Sequence, residues 1–495
     1  MPKRATSFEL TLPPRPAGAV SAYRWLYAAL RAEILDGRLR PGARLPATRD
    51  LATRYTLSRG TVVTAFEQLR SEGYIEGTIG SGTYVSKVLP DDLFKVGPAP
   101  VPTRAVGKPR RHLSDWARRV NPKEYYQQRP VRAFRANLPA LDQFPTALWA
   151  QLTARCCRRA SANFLIGCGP MGHEPLRQAV ADYLNTSRGV NCVPEQVAIV
   201  PGLQEAIDLI ARLFVNPGDR VCVENPGYPD AATVFAAAGA RISAVSLDAE
   251  GMRIPETKAT LAYVTPGHQF PTGITMSLSR RLALLEWARK SDALIIEDDY
   301  DSEYRYSGRP VPALQGLDRD GLVVFAGSFS KVLFSSLRLG YLVVPHDLVD
   351  IVKAARATMS RHPHLLEQVV LCDFITEGHF GRHLRRMREI YAERLGILLD
   401  AARTRLDGLI EIPAIEAGLQ TVGWLTNGMK AEPVARALAA RQMEVIPISR
   451  YRTGDDADDS DAREGLQLGF AAIDAHEIRR GIDELARVLA RSASD

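Results

Sequence analysis

The sequence predicts an α/β protein with a small helical domain in front, on three observations. Short, near-continuous apolar segments recur at Val197–Val200, Val221–Val223, Ala262–Val264, Leu294–Ile296, Leu322–Phe325 and Leu342–Val344, with helical patterns such as Leu176–Leu184 and Gln204–Leu213 among them. Strands buried on both faces of a mostly parallel sheet read this way. Second, three amphipathic helical patterns and a glycine-turned pair of β-like pieces precede this region. Third, charge is unevenly placed: residues 1–111 hold 18 Lys and Arg against 9 Asp and Glu, so the whole excess of the +7 chain lies in its first fifth. A basic domain of this kind carries an electrostatic footprint for a polyanion.

The 495 residues leave room for two or more domains. Residues 1–20 are Pro-rich and expected to be disordered. Residues 21–87 form the head, 88–130 a Pro-, Gly- and Arg-rich linker typified by Gly97–Arg111, and 131–490 the large domain. No apolar run reaches the roughly 20 residues that span a bilayer, and no apolar leader follows Met1, so the cytoplasm is the expected location and no membrane is a partner. The six cysteines show no metal-ligand spacing, which predicts reduced thiols and no metal site.

In the head, Leu26, Leu30 and Ile34 set the stripe of a first helix from Ala22, stopped by Gly37 and Pro41-Gly42. Thr48 is the expected cap of a second helix carrying Leu51 and Ala52. Ser58 caps a third, with Val62, Ala65, Phe66 and Leu69 inward and Gly73 at its end. Tyr74–Glu76 and Thr83–Val85, around Gly77, Gly80 and Gly82, complete the outline of a winged helix-turn-helix. In that arrangement the N-terminal residues of the third helix reach base edges in the major groove. Arg59 can hold guanine with two hydrogen bonds, while Ser58 and Thr61 suit bases or phosphate. Arg49 is placed to hold backbone, and Gly80 and Ser81 at the wing tip let the chain approach the minor groove. Double-stranded DNA is therefore the expected partner. The run from Gly37 to Ser86 resembles the winged helix of the GntR regulator family, with G-x-L-x-P-G-x-x-L-P, x-R-x-L-A, S-R-x-T-V and L-x-x-x-G in order.

The large domain holds few lysines, and one stands apart. Lys331 sits in Gly327-Ser-Phe-Ser-Lys331, directly after an apolar strand, with Arg338 seven residues on. A lysine here can form a Schiff base with an aldehyde, and Ser328, Ser330 and Arg338 can hold a phosphate beside it. The strand Leu294–Ile296 ends in Glu297-Asp-Asp-Tyr300, which places Asp298 for a pyridine nitrogen and Tyr300 for a phenolate oxygen. Both segments begin at strand C-termini, where α/β proteins bind ligands. Together they make pyridoxal phosphate (PLP) the expected cofactor.

Residues 131–490 resemble fold-type I, class I/II aminotransferases through GLQEAIDLI (202–210), ENPGYPD (224–230), VTPGHQFPTG (264–273), IIEDDYDSEYRY (295–306) and GSFSKVLFSSLRLGYL (327–342). With the winged helix in front, the architecture resembles the MocR/GabR subfamily of GntR regulators. The resemblance implies a mixed, mostly parallel sheet with a smaller C-terminal α+β subdomain. It also implies Lys331 as the covalent anchor, Gln204 and the backbone of Leu203 at the phosphate, and Tyr228 stacked on the ring. It leaves open which of His268 and Gln269 points inward. Two positions depart from the pattern: Gln467 stands where aminotransferases carry a carboxylate-binding Arg, and Gln420 where the subfamily carries His. Arg binds carboxylate bidentately and Gln does not. The expectation is a homodimeric transcription regulator, with at most weak transaminase activity, that senses PLP or a small amine without a carboxylate, such as a rhizopine-type amino-inositol. The alternative is an active aminotransferase with a vestigial DNA-binding head.

Overall fold

The computed structural model describes residues 10–15, 21–78, 82–90, 112–120, 130–306, 312–453 and 463–492. The chain divides into two compact units, Met1–Arg110 and Arg111–Asp495.

In the first unit, α1 (Ala22–Leu35), α2 (Thr48–Arg54) and α3 (Arg59–Ser71) precede the antiparallel pair β1 (Ile75–Thr78) and β2 (Gly82–Val85). Trp25, Leu26, Leu30 and Ile34 from α1 meet Leu51 from α2 and Val62, Phe66 and Leu69 from α3, which is the core their spacing predicts. Ser58 caps α3, its hydroxyl accepting from the Thr61 N–H at 3.1 Å. Thr48 does not cap α2: it is the first helical residue, and Ala47 holds the cap position without a side-chain bond. The expectation of a disordered 1–20 is corrected for residues 10–15. Leu10 and Leu12 are buried in this core, the Leu12 N–H donates to the Tyr55 hydroxyl at 3.0 Å, and that hydroxyl donates to the Leu10 carbonyl at 2.8 Å. Two leucines removed from water contribute about 1.5–3 kcal/mol each, which outweighs the lack of periodic structure in a Pro-rich stretch.

The second unit is built on an eight-stranded sheet in the order β3-β10-β9-β8-β7-β4-β5-β6. These are β3 (Val197–Val200), β4 (Arg220–Asn225), β5 (Arg241–Asp248), β6 (Gly251–Met252), β7 (Leu261–Val264), β8 (Leu294–Asp299), β9 (Val323–Ser328) and β10 (Gly340–Val343). The pairs β5–β4, β4–β7, β7–β8 and β8–β9 are parallel. β10 runs antiparallel to both β9 and β3, and β6 antiparallel to β5. Apolar clusters cover both faces, which is why β3, β7 and β10 are buried throughout. A second, antiparallel sheet, β11-β12-β14-β13, comprises Ile410–Glu411, Gln420–Leu425, Gly465–Gly469 and Ile446–Pro447. The helix Ala475–Ser492 follows it. Within the expected linker, Asp115–Arg119 form a short helix, and the Arg119 Nε donates to the Ala237 carbonyl at 3.2 Å; Gly97–Arg111 lie outside the described residues.

Candidate functional site

In the first unit, Arg49 is exposed in the first turn of α2, and Ser58 and Arg59 are exposed at the start of α3. The Thr61 hydroxyl lies 2.8 Å from that of Ser58, so the cap orders the end of the helix that presents Arg59. Gly80 and Ser81 lie outside the described residues.

In the second unit, one cavity of about 420 Å³ opens at the C-terminal ends of the parallel strands. Each of the nine cofactor residues expected from the sequence lines it: Leu203, Gln204, Tyr228, Asp298, Tyr300, Ser328, Ser330, Lys331 and Arg338. The sheet explains the convergence. β8 delivers Asp298 and then Tyr300. β9 delivers Ser328, and the turn Phe329–Val332 carries Ser330 and Lys331.

At one end, the helix Leu203–Phe214 points its N-terminus at the cavity from Gly202, whose φ of +108° suits glycine. A Cβ on Gly202 would lie 3.5 Å from the Arg338 guanidinium carbon, so this cation sits against the helix end. Arg338 itself has φ +51°. A helix N-terminus, an arginine and the Ser328 and Ser330 hydroxyls form a cup suited to a phosphate.

In the middle lies Asp298. Its Oδ2 accepts from the Tyr263 hydroxyl, while its buried Oδ1 has no partner among the described residues. Burial pushes the carboxyl up to about 8, and the neighbouring Asp299 and Asp301 add to this. A buried orphan acceptor calls for a donor, and the ring nitrogen of PLP is one. Tyr228 lies over Tyr263 with ring centroids 6.4 Å apart and planes within 28°, forming an aromatic wall. Lys331 Nζ donates to the Asn137 carbonyl at 2.9 Å, and burial lowers its amine to about 8. A lysine whose proton is loosened by desolvation is a better nucleophile near neutral pH. The residues present therefore fit PLP.

The question left open between His268 and Gln269 resolves to neither, since neither lines the cavity. His268 Nδ1 lies 2.9 Å from Asp301 Oδ1 and 3.1 Å from the Tyr300 hydroxyl, which orients Tyr300 from behind. The Gln269 amide is spent on Glu224 Oε2 and the Pro226 carbonyl, at 3.1 and 2.9 Å. Asn137, Gly202, Asp230, Phe270 and Ser335 also line the cavity and were not foreseen. Phe270 had a signal in its place within VTPGHQFPTG. Asn137 had none, because its neighbours show no periodicity.

Arg188 supports the strand end behind the site: its Nε and Nη2 lie 2.8 and 2.7 Å from Asp299 Oδ2, with both side chains over nine-tenths buried. Gln467 is fully buried on β14, its Oε1 accepting from the Tyr451 hydroxyl at 2.6 Å.

Comparison with known proteins places these features in two families. Residues 22–85 match the family model of bacterial regulatory proteins of the gntR family, and residues 134–485 that of aminotransferase class I and II. The chain is 40% identical to the probable rhizopine catabolism regulatory protein MocR of Rhizobium meliloti, over 94% of this chain and 93% of that one. It is 32% identical to the transcriptional regulator TauR of Rhodobacter capsulatus, over 96% and 98%. Among solved structures, the kynurenine aminotransferase of Pyrococcus horikoshii superimposes with a TM-score of 0.66 at 26% identity, covering 74% of this chain and 92% of that one.

Proposed function

Because the chain belongs to the MocR-type branch of the GntR family, a DNA-binding transcription regulator with a PLP-dependent, aminotransferase-like domain, we propose that it senses a small primary amine, or PLP itself, in the cavity around Lys331. The observation that carries this is the orphan Oδ1 of Asp298 in the same cavity as Lys331 and the Gly202–Arg338 phosphate cup. Bound there, PLP supplies an aldehyde that a primary amine can engage and a ring that withdraws electrons.

The chain's own residues do the rest. Arg338, Ser328, Ser330, Gln204 and the Leu203 N–H hold the phosphate. Asp298 gives up its proton, or shares it, at the ring nitrogen. Tyr228 would cover the ring, and Tyr300, steadied by His268, would serve the phenolate oxygen. Lys331, its amine loosened by burial, would be the group that holds the aldehyde end of the cofactor. Arg49, Ser58, Arg59 and Thr61, together with Gly80 and Ser81, contact an operator. A homodimer presents two heads to repeated half-sites about 34 Å apart or a multiple of it. The protein works in the cytoplasm. The effector must bind one state of the protein better than the other for DNA affinity to change.

The test is the visible absorbance of the full chain with PLP and a panel of amines, read beside its affinity for DNA selected from a random pool. A band lost in Lys331→Ala, and an amine that shifts both band and DNA affinity without forming keto product, are expected. Rapid conversion of amino acids to keto acids would make the domain an enzyme instead. Absence of any band would remove PLP from this cavity.

A further inference from the structure

We propose that Asn137 and Gln420 form a charge-free recognition subsite beside Lys331, which takes the hydroxyl or carboxamide of a primary amine and disfavours a carboxylate. The proposal rests on the reading of this cavity as a PLP site.

Asn137 lines the cavity with φ +63°, a left-handed conformation that Asn tolerates better than most residues. Its N–H donates to Gln420 Oε1 at 2.7 Å, across 283 residues of chain, and its Oδ1 accepts from Gln420 Nε2 at 3.1 Å. A backbone N–H only donates, so the first bond fixes which end of the Gln420 amide is oxygen. The second then fixes which end of the Asn137 amide is oxygen. Asn137 therefore spends its side-chain oxygen on Gln420 and keeps its NH2 for a ligand. Its carbonyl accepts from Lys331 Nζ, so the subsite and the anchor are neighbours by direct contact. Gln420 is buried and leaves no charge behind.

The charge census points the same way. Among the described residues lining the cavity, the cations are Lys331 and Arg338, the anchor and the phosphate partner, and the anions are Asp230 and Asp298. Arg135, two residues before Asn137, has Glu444 at 4.0 Å. The face of β12 and β14 that carries Gln420 also carries Gln467, since Gln420 pairs with Gly469 and Val422 with Gln467. Gln467 Nε2 is buried without a partner among the described residues, which adds another neutral donor and no cation. A carboxylate beside Asn137 would lose its water and face Asp230 in the same cavity, while Arg135, a further cation that acts on Lys331, is already engaged by Glu444. A hydroxyl or carboxamide oxygen accepts from the Asn137 NH2 at no such cost.

The test uses the full chain loaded with PLP and two ligands of one skeleton, alaninamide and alanine. Affinity is read by titration of the visible band and independently by calorimetry. The preference is expressed relative to that of free PLP in the same buffer, which removes the difference in amine basicity. The native chain is expected to favour alaninamide at least tenfold beyond free PLP. Asn137→Gly, whose glycine adopts this φ freely, and Gln420→Ala should each lose that excess. A native chain with no excess, or an excess that survives both substitutions, overturns the proposal. A band that never forms, or that persists in Lys331→Ala, overturns instead the PLP reading beneath it.

Discussion

Replacing Arg188 by Met tests whether the strand end that presents Asp298 is held by charge. Arg188 and Asp299 are each over nine-tenths buried, both Nε and Nη2 reach Asp299 Oδ2, and Asp299 Oδ1 has no partner among the described residues. Met fills similar volume, so the loss is electrostatic. Removing one partner of a buried pair leaves an uncompensated charge, at about 3–5 kcal/mol. Unfolding entropy of about 2.1 cal/mol/K per residue over a unit of this size converts that to a fall of about 4–6 °C in Tm. There is a second consequence. Asp299 already raises the Asp298 carboxyl, and without Arg188 it pushes Asp298 above its present value of about 8, weakening PLP loading at neutral pH. Scanning calorimetry of the native chain, Arg188→Met and Arg188→Met/Asp299→Leu decides it. The double substitution removes both charges and should recover at least half of the loss. A single variant within about 1 °C of native, or a double variant no more stable than the single, refutes the reasoning.

Three further outcomes are expected. Leu12→Ala costs about 2–5 kcal/mol in the first unit, read by chemical denaturation, and a cost near zero would mean that residues 10–15 do not hold its core. Arg59→Ala costs about 1–3 kcal/mol on a preferred DNA site but little on random DNA, whereas Arg49→Ala weakens both and lowers the salt slope by about 1; anisotropy titrations over a salt series separate the two. Burial lifts Glu224 and Glu297 to about 7 and Asp298 to about 8, from ordinary values of 4.5 and 3.8. The folded chain then keeps protons that the unfolded chain releases, so this stabilisation is complete below the ordinary values and is lost as pH rises through 7 and 8. Lys331, lowered to about 8, acts in the opposite sense only above that pH. The Tm of the cofactor-free chain should fall between about pH 5 and about pH 8.5, and a flat or rising profile would refute this.

What the sequence made legible has a physical pattern. Asp298 lies at the end of a buried strand and Lys331 just after one, so their position at strand C-termini could be read from the short apolar runs before them. The head was legible because caps and stripes are local, and the Ser58 cap is an example. Thr48 misled because a threonine next to an apolar stripe fits the first helical turn as well as the cap. Leu10 and Leu12 were hidden because their partner, Tyr55, lies some 45 residues on and no period links them. Asn137 was hidden for the same reason on a larger scale, since its meaning depends on Gln420. β5, at the far side of β4, was not read as a strand: most of its residues are only half-buried, so it lacks the continuous apolar run that marked its neighbours.

The position of β10 also bears on the birth of the protein. β3 has β10 as its strand partner, and β10 in turn joins it to β9, which leads into Lys331. On the ribosome β3 emerges long before β10, at about 5–20 residues per second, so on the order of ten seconds pass while it has an unpaired edge. The head, with its local contacts, is complete before then. A nascent chain thus holds a folded head before the sheet that presents Lys331 is closed.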